Sequence, residues 1–264
     1  VEVADARGYI DRSAEQYDVI QASLIDTWAA GGSGAFALSE NSLYTREAFQ
    51  TYYDHLTERG ILTVSRWYLP QRPAETMRLV ATGMAGWSAA GVGDPRRHVA
   101  VVKSSTSGTP TEGLSTVLFK RQPFTEEEID TLCERAERLG YEVIYTPGCE
   151  ANEPVGALIA AADHQAAIDA YPLDISPATD NRPFFFNLVR LGDLIDPELS
   201  DSGVYRTSME AIVVLFTVIG VSLLLAVLII LLPLIVGSRR RGLARPSAPL
   251  LGYFSALGVA FMMV

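Results

Sequence analysis

The chain has 264 residues, with 31 acidic and 21 basic side chains, a formal net charge of −10 and a mean hydropathy of +0.18. Phosphate contacts need a basic face, so this balance excludes a nucleic-acid-binding module. Only Cys133 and Cys149 could pair, and the three histidines have no metal-binding spacing. These counts exclude a disulfide-stapled mini-protein and a structural zinc site, and we expect no bound metal.

Charge divides the chain into two parts. All 31 acidic residues lie at or before Glu210, and beyond it the charged residues are four arginines: Arg239, Arg240, Arg241 and Arg245. This distribution predicts an acidic soluble domain followed by membrane segments.

Alternating strand and helix signals run from the start to about Tyr145, which is typical of a layered α/β domain. Val1–Ala4 and Tyr17–Leu24 predict strands. Thr45 predicts the cap of a helix that ends at Gly60, because apolar side chains recur at helical spacing between them: Phe49, Tyr52, Tyr53 and Leu56. Ile61–Trp67 then predicts a strand.

The second half of the domain continues the alternation. A helix is predicted from its apolar face, which consists of Met77, Val80, Met84 and Trp87. His98–Lys103 and Leu114–Lys120 predict a hairpin. Thr125 and Glu128 predict a capping box for a helix ending at Gly140, followed by a strand at Tyr141–Tyr145. Val155–Tyr171 predicts a helix, and Pro172–Arg190 an extended stretch.

The region 211–236 holds 26 uncharged residues, which is about 39 Å of helix and long enough to cross a bilayer. We therefore predict an α/β domain at 1–190, a juxtamembrane linker at 191–210, a transmembrane helix at 211–236 and an Arg-rich loop at 237–249. The apolar run 250–264 predicts the start of a second transmembrane helix. The absence of an initiator Met and the shortness of this run indicate a fragment of a longer membrane protein.

Acidic residues follow two predicted strands: Asp5 after Val1–Ala4, and Asp26 shortly after Tyr17–Leu24. The carboxyl ends of strands in an open α/β sheet present side chains to ligands, so both are candidate site residues. A turn or a helix cap is the ordinary alternative for such an Asp. The nearby glycines, Gly31, Gly32 and Gly34, lack the GxGxxG spacing and favour a mobile loop over a phosphate site.

Four stretches of the chain resemble one family. The order Asp5-Ala6-Arg7, Tyr17-Asp18-Val19-Ile20 and Leu43-Tyr44-Thr45-Arg46-Glu47-Ala48-Phe49 is similar to the second half of a spermidine synthase domain. The most specific piece is the string Pro177-Ala178-Thr179-Asp180-Asn181-Arg182-Pro183-Phe184-Phe185-Phe186 just ahead of the membrane run. It resembles the multi-spanning bacterial branch of that family. The resemblance covers residues 1 to about 190.

The resemblance implies a partial Rossmann-like domain of methyltransferase and spermidine synthase type, followed by transmembrane α-helices. It implies that Asp5, with Ala6 beside it, contacts the adenine of S-adenosylmethionine or its decarboxylated form. The family's catalytic strand ends in Asp-Ser-Ser-Asp, whose first Asp helps deprotonate an amine substrate. Here Ser23 stands at that position and only Asp26 matches the second acid, so we expect poor or absent aminopropyl transfer.

The string around Arg182 has two interpretations. Pro183 and the three following phenylalanines favour packing and anchoring at the membrane interface over a substrate-binding role.

Two features predict opposite orientations of the domain across the membrane. The four arginines between the apolar runs predict a cytoplasmic loop and an external domain. An adenosyl cofactor, made in the cytoplasm, predicts the opposite orientation.

Two functional hypotheses follow. The first is a membrane-anchored, spermidine synthase-like transferase of the bacterial cell membrane, acting on a small amine or related nucleophile in polyamine chemistry. The second is a non-enzymatic scaffold or transporter-associated domain that keeps the fold. In both, the expected partners are the lipid bilayer and neighbouring transmembrane helices of the same chain.

Overall fold

The computed structural model describes residues 4–24, 39–70, 72–105, 113–148, 154–190, 203–231 and 248–262. The chain divides into two compact units, Val1–Ala211 and Ile212–Val264. The first unit is a mixed α/β domain. The predicted strand at residues 1–3, Asp26, the glycine cluster and the Arg-rich loop lie outside the described residues.

The α/β unit contains five strands and six helices in its described part. In chain order they are α1 (Ala6–Arg12), β1 (Tyr17–Ser23), α2 (Arg46–Asp54), β2 (Leu56–Tyr68), α3 (Ala74–Ala89), β3 (Val99–Ser105), β4 (Gly113–Lys120), α4 (Glu126–Leu139), β5 (Tyr141–Tyr145), α5 (Pro154–Ala160) and α6 (His164–Ala170). Short 3-10 turns at Ser42–Tyr44 and Pro95–His98 precede α2 and β3.

The strands form one sheet in the order β1-β2-β4-β3-β5. The pair β1 and β2 is parallel, and the other three pairs are antiparallel. The predicted hairpin is confirmed as β3 paired with β4.

One face of the sheet carries the core. Along β2 the side chains of Leu62, Val64 and Tyr68 are buried and alternate with half-buried ones, as expected for a strand covered on one side. Rings from α2, α3 and β4 meet over this face, where Phe49 and Trp87 both contact Phe119 with centroids 5.5 and 5.1 Å apart. The helices α2 and α3 are therefore fixed to the sheet by aromatic packing.

Two predicted boundaries are wrong. The helix capped by Thr45 ends at Asp54, and Leu56 already belongs to β2, where it pairs with Tyr17. Gly60 lies inside β2 rather than at a helix end, and a Cβ there would come within 2.8 Å of the Tyr17 carbonyl oxygen. The predicted helix Val155–Tyr171 is two helices, since Asp163 caps a new one by accepting a hydrogen bond from the Ala166 amide.

Beyond the α/β unit, an α-helix spans Gly203–Ala226 and continues as a π-helical turn at Val227–Leu231. Within the described residues, one helix, with its window at Ile212–Ile229, is long and apolar enough to cross a membrane. A further apolar helix spans Ala248–Met262.

Candidate functional site

The parallel pair of strands defines one edge of the sheet. β1 and β2 run side by side from Tyr17 opposite Leu56 to Ser23 opposite Ser65. The carboxyl end of α2 lies beside the amino ends of these two strands, because the amide of Tyr17, the first residue of β1, donates to the His55 carbonyl oxygen. The first turns of α2 and α3 therefore lie near the carboxyl ends of β1 and β2, where α/β sheets present ligand-binding groups.

Asp5 caps α1. One of its carboxylate oxygens, Oδ2, accepts a hydrogen bond from the Gly8 amide at 2.7 Å, and Ala6 is the first helical residue. Both side chains are exposed. Asp5 therefore caps a helix, which was the ordinary alternative to a ligand-binding role. The cap uses one of its two carboxylate oxygens. No hydrogen bond reaches Oδ1 from the described residues, so Asp5 fits a ligand's amino group as well as its cap.

Ser23 ends β1 in a row of neutral polar groups. Its hydroxyl accepts from the Gln21 amide nitrogen Nε2 at 3.1 Å and lies 3.5 Å from the Ser65 hydroxyl. That hydroxyl in turn lies 2.9 Å from the Thr116 hydroxyl. In the described part of the chain, no carboxylate or imidazole forms a hydrogen bond with Ser23. None of these residues is therefore placed to act as a general base towards its hydroxyl.

Leu24, directly after β1, has a backbone φ of 47°. This left-handed conformation is uncommon for a side chain of its size and costs of order 1–3 kcal/mol. The chain is therefore held in a strained turn as it leaves the strand next to Ser23.

Arg7 and Asp180 join the two ends of the α/β unit. The Arg7 guanidinium donates to both Asp180 oxygens at 2.6 and 2.7 Å, across 173 residues of sequence. The Thr45 hydroxyl donates to the same carboxylate at 2.6 Å, and the Asp180 amide donates to Glu47. The hydrogen bond from Arg7 is the main reason that the pKa of Asp180 is lowered. The segments Asp5-Ala6-Arg7 and Thr179-Asp180 are thus neighbours in the fold.

A buried ion pair lies deeper at the same edge. The Arg66 Nε donates to Glu75 in the first turn of α3 at 2.5 Å, and only 4% of the Arg66 side chain is exposed. The guanidinium carbon lies 5.4 Å from the Tyr44 ring centre and 4.8 Å from that of Phe186. Burial raises the pKa of Glu75, although the charge of Arg66 opposes this shift. This cluster fixes the end of β2 to the first turn of α3.

Arg78 of α3 holds the extended segment 174–187. Its guanidinium, 1% exposed, donates to four carbonyl oxygens: those of Ser176, Phe184, Phe185 and Asn187. It also lies 3.6 Å from Asp174, which accepts from Arg182 at 2.7 Å. Burial lowers the pKa of Arg78 to about 10. Burial alone would raise the pKa of Asp174, but hydrogen bonds from Ser176 and the charges of Arg78 and Arg182 outweigh it and lower the value.

The phenylalanines of this segment pack inside the α/β unit. Phe185 is fully buried and Phe186 is 7% exposed, and the Phe185 ring lies 4.8 Å from that of Tyr44. The expected packing role is confirmed for these two rings. The expected anchoring at a membrane interface is wrong for them, because their rings are covered by protein.

The sequence pattern pointed to Asp5 and Ser23 but missed the charged residues that organise the edge: Arg7, Arg66, Glu75, Arg78, Asp174 and Asp180. Two signals were available. Arg66 interrupts an apolar strand at a buried position, and Arg78 lies among the apolar residues of α3. A charge at such a position needs a partner nearby. Among the described residues, no group of three or more His, Cys, Asp or Glu side chains could hold a metal ion.

Comparisons with known proteins give a partial likeness. No family model matches the chain, and no curated protein does. Among solved structures, a probable spermidine synthase from Corynebacterium glutamicum is similar with 16% identity and a TM-score of 0.35, over 50% of this chain and 43% of the other. The spermidine synthase of Thermotoga maritima is similar with 16% identity and a TM-score of 0.30, over 62% and 46%. A spermidine synthase in complex with the transition-state analogue AdoDATO is similar with 16% identity and a TM-score of 0.31, over 62% of this chain and 46% of the other. The chain spans less than half the length of each of these structures.

Proposed function

We propose that this chain is the α/β domain and membrane anchor of a spermidine synthase-like protein that binds an adenosyl cofactor at the carboxyl ends of β1 and β2. The observation that carries the proposal is the position of Asp5, whose exposed carboxylate caps α1 through Oδ2 while its Oδ1 accepts no hydrogen bond from the described residues. The resemblance of Asp5-Ala6-Arg7 and Tyr17-Asp18-Val19-Ile20 to that family supports the same assignment. The apolar helix at Ile212–Ile229 supports membrane attachment.

Asp5 would hold the cofactor by accepting a hydrogen bond from the purine amino group, and Ala6 would lie beside it. When bound, the cofactor supplies a carbon next to a sulfonium centre for attack by a nucleophile. The side chains on β1 must then bind the nucleophile and remove its proton, because an amine with a pKa of about 10.4 is protonated at neutral pH.

Calorimetry on the full-length chain in detergent tests the cofactor site, with S-adenosylmethionine and its decarboxylated form as ligands. Asp5→Ala should weaken binding about tenfold or more, because a hydrogen bond to a charged acceptor typically contributes about 1.5–3 kcal/mol. Asp163→Ala is the matched control, since it removes an equivalent helix cap from α6 and should leave the affinity unchanged. Equal affinities in wild type and Asp5→Ala would overturn the site.

Impaired catalysis is the second part of the proposal. Ser23 has only neutral partners in the described residues, while a positioned carboxylate typically contributes about 10²–10⁴-fold to proton removal. We expect aminopropyl transfer to putrescine to be absent or slow in the wild type and partly restored in Ser23→Asp. A wild-type rate typical of a soluble spermidine synthase, lost in Asp26→Ala, would show instead that Asp26 is the base.

The neutral surroundings of Ser23 also favour the second candidate, a non-enzymatic scaffold that retains the fold. Cofactor binding without transfer in both wild type and Ser23→Asp would support this candidate.

A further inference from the structure

The short helix α1 depends on contacts with the rest of the domain. It has seven residues and buries none of its side chains. Isolated helices shorter than about 12 residues are marginal in water. At its far end, the Ser13 hydroxyl lies 3.0 Å from the Tyr17 hydroxyl, and the Ser13 carbonyl oxygen lies 3.1 Å from the His55 ring. At the end near Asp5, the ion pair between Arg7 and Asp180 connects α1 to the rest of the domain.

Arg7 is tied to a rigid part of the domain. Its partner Asp180 is held by the Thr45 hydroxyl and by a backbone hydrogen bond to Glu47, both at the start of α2. The segment around Asp180 is itself fixed by the four carbonyl contacts of buried Arg78. The segment 176–187, held by Arg78 of α3 and joined through Asp180 to Arg7, therefore connects the core helix α3 with the first turn of α1, two residues from Asp5.

We propose that Asp180 is a positioning residue, which acts through Arg7 to hold the first turn of α1 and so fixes the Asp5 carboxylate for its ligand. The ligand part rests on the proposed function above, whereas the tether itself does not. A forked guanidinium–carboxylate pair suits this role, because two parallel hydrogen bonds fix orientation as well as distance.

Amide hydrogen exchange on the full-length chain in detergent tests the tether without any ligand. The Gly8 and Tyr9 amides donate to the Asp5 side chain and carbonyl, respectively, so they report on the first turn of α1. In Asp180→Asn and in Arg7→Met their exchange should become about tenfold faster or more, with the melting temperature nearly unchanged. Arg7→Met leaves the contacts of Asp180 with Thr45 and Glu47 in place.

The double variant separates a direct tether from general loosening. If Asp180 acts through Arg7, the double variant exchanges no faster than Arg7→Met alone, which also loses the Arg7 contacts with the Ser42 carbonyl oxygen and the Thr45 hydroxyl. The matched control is Asp94→Asn, which breaks an exposed Asp–Arg pair of the same 2.7 Å length elsewhere and should leave α1 unchanged. Unchanged exchange at Gly8 and Tyr9 in both single variants would overturn the tether.

Calorimetry with S-adenosylmethionine tests the positioning of Asp5. Asp180→Asn should raise the Kd about tenfold, and should add no further loss to Asp5→Ala. An unchanged Kd in Asp180→Asn, beside a clear loss in Asp5→Ala, would overturn the positioning role. If the wild-type chain binds neither adenosyl compound, the proposed function fails and the positioning role with it, and the exchange rates still decide the tether.

Discussion

At the scale of single residues, buried Arg78 makes the strongest prediction about stability. Arg78→Met removes a donor from four carbonyl oxygens and the positive charge beside Asp174, and should lower the free energy of unfolding by about 3 kcal/mol. Arg78→Lys should recover little, because an ammonium cannot reproduce the forked donors of a guanidinium. Urea unfolding of the full chain in detergent, followed by near-ultraviolet circular dichroism, measures the change.

The control for Arg78 is Arg96→Met. The Arg96 side chain is 44% exposed and pairs with Asp94 on the surface, so its loss should change stability by less than about 1 kcal/mol. Similar losses at the two positions would mean that the carbonyl contacts of Arg78 contribute little.

Asp180 predicts a response to acid. Because Arg7 lowers its pKa in the folded state, the ion pair contributes fully above the unfolded value of about 3.9 and is lost as the pH falls through the lower folded value. Exchange of the α1 amides should therefore rise more steeply below about pH 4 in the wild type than in Asp180→Asn, after correction for intrinsic rates, because the Asp5 and Glu47 carboxylates are present in both proteins. An identical pH profile in the two proteins would contradict the assignment.

At the scale of elements, caps and strand pairing were predictable where the signal is local. The capping box of α4 is present, with Thr125 and Glu128 bonded to each other's backbone amides, and Gly140 ends the helix with a φ of 75°. Errors arose where distant partners decide. Leu56 continues the helical spacing of α2, yet its pairing with Tyr17 places it in β2. The charged residues of the candidate site were missed for the same reason, since Arg7 and Asp180 are 173 residues apart.

Glu128 makes two kinds of contact in the first turn of α4, unlike the adjacent Glu127. Besides closing the capping box it bonds to the Nζ of Lys120 at 2.6 Å, and the Lys120 side chain is only 5% exposed. Glu128→Ala should cost about 2 kcal/mol of stability, because it removes the cap and leaves a buried ammonium without its carboxylate. Glu127→Ala, in the same exposed first turn, should cost less than about 0.5 kcal/mol. Thermal unfolding of both variants checks the difference, and equal melting temperatures would contradict it.

Close packing of α3 on the sheet depends on Gly83. A Cβ at this position would lie 2.1 Å from the Phe119 ring, so Gly83→Ala must displace a core aromatic side chain. We expect a loss of about 1–3 kcal/mol despite the better helix propensity of Ala. Gly93→Ala is the control, since a Cβ there has nothing within 4 Å. A Gly83→Ala chain as stable as the wild type would show that Phe119 has room to move.

At the scale of the whole molecule, the two units differ in how far their apolar side chains are buried. In the α/β unit large apolar side chains are mostly enclosed, whereas only 6% of the window Ile212–Ile229 is buried. An exposed apolar surface of this extent needs a cover, and its length matches the hydrocarbon core of a bilayer.

A single charge in the apolar helix tests whether lipid is that cover. Leu223 is 63% exposed near the middle of this helix, and an arginine at the centre of a membrane span costs about 2.5–3.5 kcal/mol. Leu223→Arg should therefore increase the fraction of the chain that alkaline carbonate releases from membranes. Leu139→Arg is the matched control, because Leu139 is 65% exposed but lies on α4 of the α/β unit, where an added charge faces water. Two results would contradict this prediction: both variants remain with the membranes as the wild type does, or both are released to the same extent. Either result would mean that the helix does not span the bilayer at this position and that protein covers its apolar face instead.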